Sequence, residues 1–217
     1  MAAPAASTVP AAPGAVAAAA VARDGDDVSA RQREINAEWD AAAGEWDAKA
    51  APYAKFLHAA LWPALGVDDG DARRALRVLE VGCGTGLLLE RLRHEVHDVV
   101  GVEPAPGMAA RARDKAAAWS NVEVVEAAIG AGDARADVTA LAPASFDVVV
   151  ASSVLAFVPD LPAALRAVAA LLKPGGRLVH SDWQRDASAP VAEWKNADGF
   201  DAATARAAYA AAAAGLT

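Results

Sequence analysis

The chain changes its hydrophobic period near residue 76. Between 28 and 63, apolar residues recur every three or four positions: Ile35, Trp39, Ala43 and Trp46, then Tyr53, Phe56, Leu57 and Leu61 after Pro52. That spacing predicts amphipathic helix and hence an N-terminal helical layer. From Leu76 onward, short β-branched runs alternate with helical segments, the mark of βαβ units. Strands are expected near 76–81, 98–103, 122–126, 146–151 and 176–182, and helices near 86–95, 106–118 and 161–172. A weaker helical or loop region lies between Ile129 and Ala144. Val148-Val149-Val150-Ala151 is apolar on consecutive positions, so both faces of the sheet are buried, as in a doubly wound, mostly parallel α/β fold. Lys173-Pro174-Gly175-Gly176 reads as a helix stop and turn. A last helix is expected over 201–214, with Asp198 or Asp201 as N-cap and Gly215 as C-terminal cap.

Composition narrows this picture. A length of 217 residues suits one domain. The division expected is a disordered Ala/Pro-rich leader over 1–27 and a domain over 28–217. The domain divides into a helical cap at 28–63, a cofactor-binding core at 76–183, and a loop with a final helix at 184–217. The leader contains Pro4, Pro10, Pro13 and Gly14, and its first basic side chain is Arg23, which fits neither a signal nor a transit peptide and no membrane span. Twenty basic against 28 acidic residues leave a net charge of −8, which disfavours nucleic acid as a partner. The single cysteine, Cys83, permits no internal disulfide and points to a reducing, cytoplasmic setting; no Cys/His spacing predicts a metal site.

The chemistry concentrates in Glu80-Val81-Gly82-Cys83-Gly84-Thr85-Gly86, where a buried strand passes into a helix through glycines at alternate positions. Without Cβ atoms the turn admits close approach, and free N–H groups beyond it predict a polar or anionic ligand. Leu87 stands where a dinucleotide fingerprint requires its third glycine, which weighs against a nicotinamide or flavin cofactor. Glu103 ends the next strand, placed for two hydrogen bonds from ribose hydroxyls.

These residues, with Phe146-Asp147-Val148-Val149, Val158-Pro159-Asp160 and Leu171-Leu172-Lys173-Pro174-Gly175-Gly176, resemble the class I S-adenosylmethionine-dependent methyltransferases, in particular their small-molecule, quinone-biosynthesis-like branch. The resemblance covers residues 34–183. It implies a Rossmann-like sheet, S-adenosylmethionine as cofactor and methyl transfer to a small-molecule acceptor, or alternatively a weak, inactive or truncated cofactor-binding subunit. By it, Glu80 and Gly82 hold the methionine end, Cys83, Gly84 and Gly86 belong to the same cofactor-binding turn, Glu103 holds the ribose, and Pro104 and Met108 pack on the adenine. Ser152 approaches the cofactor amino group or the acceptor, while Trp46 and Tyr53 cover the cofactor or pack in the core.

Relatives carry an Asp after the third strand where this chain has Ala128; Glu126 or Asp133 substitutes, or the N–H of Ile129 contacts the ring. No general base stands at Ala156-Phe157, and His58, His94 and His97 read as solvated or structural. His180 and Asp182 alternate on the last strand, so they share a face; Asp182, followed by Trp183, is the candidate catalytic residue facing the acceptor. The loop 184–200, with Trp194 and Phe200, is a candidate lid. The fold usually adds two further strands beyond the last helix; with the sequence ending at Thr217, strand 176–182 is an edge that a dimer mate or other partner covers.

Overall fold

The computed structural model describes residues 25–130 and 141–182, with side chains from Val28. Trp183, Trp194, Asp133, the 184–200 loop, the 201–214 helix and nearly all of the leader lie outside the described residues. Two helices, α1 (Gly25–Ala42) and α2 (Trp46–Leu65), precede the short α3 (Gly70–Arg74). Then follow β1 (Arg77–Val81), α4 (Leu89–Leu92), β2 (Asp98–Val102), α5 (Pro106–Ala116) and β3 (Val122–Val125). After the 131–140 gap come β4 (Phe146–Ser152), a 3-10 turn (Leu155–Phe157), α6 (Leu161–Leu171) and β5 (Leu172–Ser181).

The strands form one parallel sheet in the order β3-β2-β1-β4-β5. Alternate residues of the central strands serve opposite faces. Leu79, Val81, Val149 and Ala151 pack with Ala164, Leu165 and Val168 of α6, while Val78, Val148 and Val150 pack with Leu61, Trp62 and Leu65 of α2 and with Leu89 and Leu92 of α4. Burying each such side chain contributes about 1.5–3 kcal/mol, so the order of apolar runs along the chain sets the layers. The register aligns Val81 with Val102 and Ala151, which brings the C-terminal ends of β1, β2 and β4 level.

Four local expectations change. The helical stretch expected over 28–63 breaks at Gly44, and α2 runs through both Pro52 and Pro63. Pro52 is on the exposed side, where water satisfies the carbonyl that loses its partner. Phe56, placed on the apolar face by spacing, is 66% exposed. Regular helix between 86 and 95 shrinks to α4, because tighter turn bonds, such as Arg91 N–H to Leu88 O and Glu95 N–H to Leu92 O, flank it. The Lys173–Gly176 turn is an irregularity within β5: Phe146 pairs with Leu172, and pairing resumes at Val148 with Arg177. Asp147 secures this excursion by accepting hydrogen bonds from Lys173 Nζ and the Arg77 N–H, each at 2.8 Å.

Candidate active site at the strand ends

A crevice opens above the C-terminal ends of β1, β2 and β4, roofed by α1 and α2. Its floor is the turn after β1, where Gly82, Gly84 and Gly86 adopt φ of +67°, +55° and +83°. Four N–H groups of this turn are spent within the protein. Gly82 and Cys83 donate to the Val102 carbonyl, Gly84 to Glu103 Oε2, and Gly86 to the Cys83 carbonyl. The glycine N–H groups are thus turned inward, and α4 beyond them is only four residues long. Gly86 does not line the crevice; its missing Cβ lets the turn pack on Ala112 of α5.

Gly82 is the tightest point. A Cβ there would sit 2.3 Å from Val154 Cγ2, on a backbone that L residues rarely adopt. Gly82→Ala is expected to cost about 2–4 kcal/mol, combining strain with overpacking. Chemical denaturation measures this, and a wild-type midpoint would contradict the assignment.

Two buried carboxylates give the crevice its charge. Glu80, 5% exposed, has a carboxylate oxygen with no hydrogen-bond partner among the described residues. Burial, and then the charge of Glu103, push its carboxyl well above the usual range. Glu103, equally buried, accepts N–H bonds from Ala105 at 2.8 Å and Gly84 at 2.9 Å. Burial outweighs those bonds, and nearby Asp40 adds to it, so its carboxyl is raised to about 7. Burial, with both glutamates, likewise pushes up the Cys83 thiol, which is therefore no nucleophile at neutral pH. Such a floor favours a cationic ligand and disfavours phosphate.

The roof is tied down by polar contacts. Asn36 Nδ2 donates to the Pro104 carbonyl at 2.9 Å, and Asp40 accepts from the Gly107 N–H at 2.6 Å. Trp46 projects toward Gly84 and meets Trp39 edge-on, and Trp39 meets Phe157 edge-on, with centroids 5.0 and 5.4 Å apart. Tyr53 and Ser153 share a 2.6 Å hydrogen bond across the crevice. Ser153 holds φ at +52°, unusual for a residue with a side chain, and its N–H is bound to the Ser181 carbonyl.

Glu80, Gly82, Cys83, Gly84, Glu103, Pro104, Met108, Ile129, Ser152, Trp46 and Tyr53 all line this crevice. Asp182 does not. Its side chain is 2% exposed, accepts the Ala156 N–H at 3.1 Å and lies 3.3 Å from His180 Nε2, so it supports the 155–157 turn instead of facing an acceptor. Glu126 is on the surface, paired with Arg113 at 3.0 Å, and does not replace the acid absent at Ala128. His58 is held by Glu95 at 2.7 Å. Thr85, Lys49, Ser153 and Val154 also line the crevice. The sequence singled out none of them; Thr85 alone had a local signal, its place between two of the glycines.

The model of the methyltransferase domain family matches residues 29–210. Among curated relatives, the ubiquinone biosynthesis O-methyltransferase of Xanthomonas campestris pv. campestris (strain B100) is 40% identical over 152 residues, covering 66% of this chain and 58% of that protein. The same enzyme of Xanthomonas euvesicatoria pv. vesicatoria (strain 85-10) is 39% identical over 113 residues, covering 52% of this chain and 45% of that one. The chain thus spans about half the length of these relatives. In fold it is similar to a SAM-dependent methyltransferase from Aquifex aeolicus, with a TM-score of 0.58 at 17% identity, covering 71% of this chain and 78% of that one. It is also similar to a structure described as a complex between the Haloferax volcanii Trm112 methyltransferase activator and a methyltransferase, with a TM-score of 0.57 at 21% identity, covering 81% and 75%. The parallel sheet, the glycine turn with its two buried acids and the match over 29–210 agree: the chain belongs to the methyltransferase domain family, with the class I fold of the S-adenosylmethionine-dependent enzymes.

Proposed function

We propose that the crevice binds S-adenosylmethionine and transfers its methyl group to a small-molecule acceptor. The observation that carries this reading is the buried oxygen of Glu80, unpartnered among the described residues, beside a turn whose glycine N–H groups are spent. A cationic ammonium matches that oxygen, whereas a pyrophosphate finds acids in place of donors. Both Glu103 oxygens keep a lone pair for ribose hydroxyls, and Pro104, Met108 and Ile129 supply an apolar wall for a flat base. The residues present therefore fit the cofactor.

When bound, the cofactor supplies a methyl group already activated on a sulfonium, open to in-line displacement by an acceptor lone pair. The protein's part is to align and to exclude water, which is worth up to about 7–11 kcal/mol. Trp39, Trp46 and Phe157 keep the crevice dry, and the Tyr53–Ser153 hydroxyl pair orients the acceptor at the end of β4. The names of the curated relatives make hydroxyl acceptors the first to screen.

Calorimetric titration with S-adenosylmethionine and S-adenosylhomocysteine tests the reading, followed by methyl transfer from labelled donor to candidate acceptors. Heat from neither ligand would remove it, and so would heat from a nicotinamide dinucleotide alone. We infer as well that a second chain covers the outer edge of β5, the last strand of the described sheet. Sedimentation showing only monomer at micromolar concentration would contradict that. The lone, buried Cys83 supports a reducing, cytoplasmic setting.

A further inference from the structure

Among the contacts that tie the roof to the floor, one side chain joins three elements. Asp47 stands in the first turn of α2, directly after Trp46. One carboxylate oxygen accepts a short hydrogen bond from the hydroxyl of Thr85, inside the glycine turn. The other lies 2.7 Å from Lys115 Nζ, at the end of α5. Burial opposes its charge, but the hydrogen bonds from Lys115 and Thr85 prevail and hold its carboxyl below the usual aspartate range.

The two contacts differ in character. Thr85 is 1% exposed, so its hydroxyl has no water to turn to if Asp47 leaves. Asp47 reaches solvent while Lys115 Nζ is itself buried, so their pair is open to water and salt from the Asp47 side only. Thr85 and Trp46 both line the crevice. Any movement of Asp47 therefore shifts a floor residue and a roof residue together.

We propose that Asp47 is a positioning residue that clamps the glycine turn to the helical roof and thereby sets how long the adenosyl ligand stays bound. The inference rests on the cofactor reading above. The Thr85 contact fixes the closed geometry, and the Lys115 contact, which water reaches from the Asp47 side, is the part that yields when ligand enters or leaves. Loss of the clamp speeds dissociation more than it slows association, because the open form still admits ligand.

The test measures association and dissociation rates of S-adenosylhomocysteine by stopped flow, with Tm recorded for each variant. Asp47→Ala, which loses both contacts, is expected to dissociate ligand about tenfold faster with association changed less than twofold. Asp47→Asn, which keeps an oxygen for Thr85, and Lys115→Met should show similar, smaller increases. Combining these two should add nothing, since both remove the same ion pair. One molar salt should move the wild-type rate part of the way to that of Lys115→Met and leave Lys115→Met unchanged.

A dissociation rate within twofold of wild type in Asp47→Ala overturns the proposal, as does an affinity loss that merely tracks lost Tm. If Asp47→Ala fails to fold, a wild-type rate in Lys115→Met overturns it. Absence of S-adenosylhomocysteine binding by the wild-type chain overturns the cofactor reading and this inference together. Tight wild-type binding with unchanged variant rates overturns this inference alone.

Discussion

Glu80→Gln is expected to weaken S-adenosylmethionine binding by about two to three powers of ten while raising the Tm of the ligand-free protein at pH 8. Glu80 ends up opposite Gly101 and Val150 in the middle of the sheet, with one carboxylate oxygen unpartnered. Its charge is disfavoured by burial first and by Glu103 second, so the ligand-free fold carries it at a cost. A bound ammonium reverses that balance by supplying the missing partner. Removing the charge leaves the ammonium facing a neutral amide, and breaking a buried pair from one side costs roughly 3–5 kcal/mol. The amide is nearly isosteric, so packing around it is kept and the ligand-free protein loses only the burden. Calorimetry and thermal melts at pH 8 read both halves. Affinity within threefold of wild type would place the ammonium elsewhere, and an unchanged Tm would mean that Glu80 is better solvated than its burial implies.

What the sequence disclosed follows the range of the forces involved. The central strands were legible because burial on both faces demands consecutive apolar residues, as in Val148 to Ala151. Glu80, the glycines and Glu103 were legible because strand, turn and strand end occupy fixed offsets. Contacts between distant segments left no local trace. Tyr53 reaches Ser153 across 100 positions and Thr85 reaches Asp47 across 38, and neither pair has a spacing that a sequence pattern encodes.

The turn's N–H groups show the same limit. Those of Gly82, Cys83 and Gly84 go to the Val102 carbonyl and the Glu103 side chain, at the end of the neighbouring strand, a pairing that the glycine pattern did not disclose. Two-residue alternation put His180 and Asp182 on one face, and their contact agrees with that. It said nothing of depth: the Ala156 N–H draws the Asp182 carboxylate under the turn. Periodicity over 28–63 did not disclose the break at Gly44, nor that the helix continues through Pro52, whose cost depends on whether water reaches the freed carbonyl, which is a tertiary fact.

The stability of the ligand-free protein should fall as pH rises from about 4.5 to 7, and Glu103→Gln should remove much of that fall. Burial, opposed by the Ala105 and Gly84 N–H bonds and aided by Asp40, lifts the Glu103 carboxyl from 4.5 to about 7. Below 4.5 both folded and unfolded chains carry the proton, and no penalty exists. Between 4.5 and 7 the unfolded chain ionises while the folded one keeps its proton, so folding loses about 1.4 kcal/mol per pH unit. Above 7 both are ionised and the loss levels off at about 3 kcal/mol, the 2.5-unit shift times that slope, a large part of a typical folding free energy. Glutamine removes the charge, but its amide nitrogen cannot accept one of the two N–H bonds, so the variant should start about 1–3 kcal/mol below wild type at pH 4.5 and gain about 3 kcal/mol on it by pH 8. The residual slope in the variant belongs to Glu80, which is raised in the same direction. Cofactor affinity should run the opposite way, rising with pH toward a plateau above 7, because the cationic ligand selects the ionised acids. Denaturation midpoints and calorimetric titrations at pH 5 and 8 decide the matter. Parallel pH profiles for wild type and variant would show that the Glu103 carboxylate is not the group that folding strains and the ligand relieves.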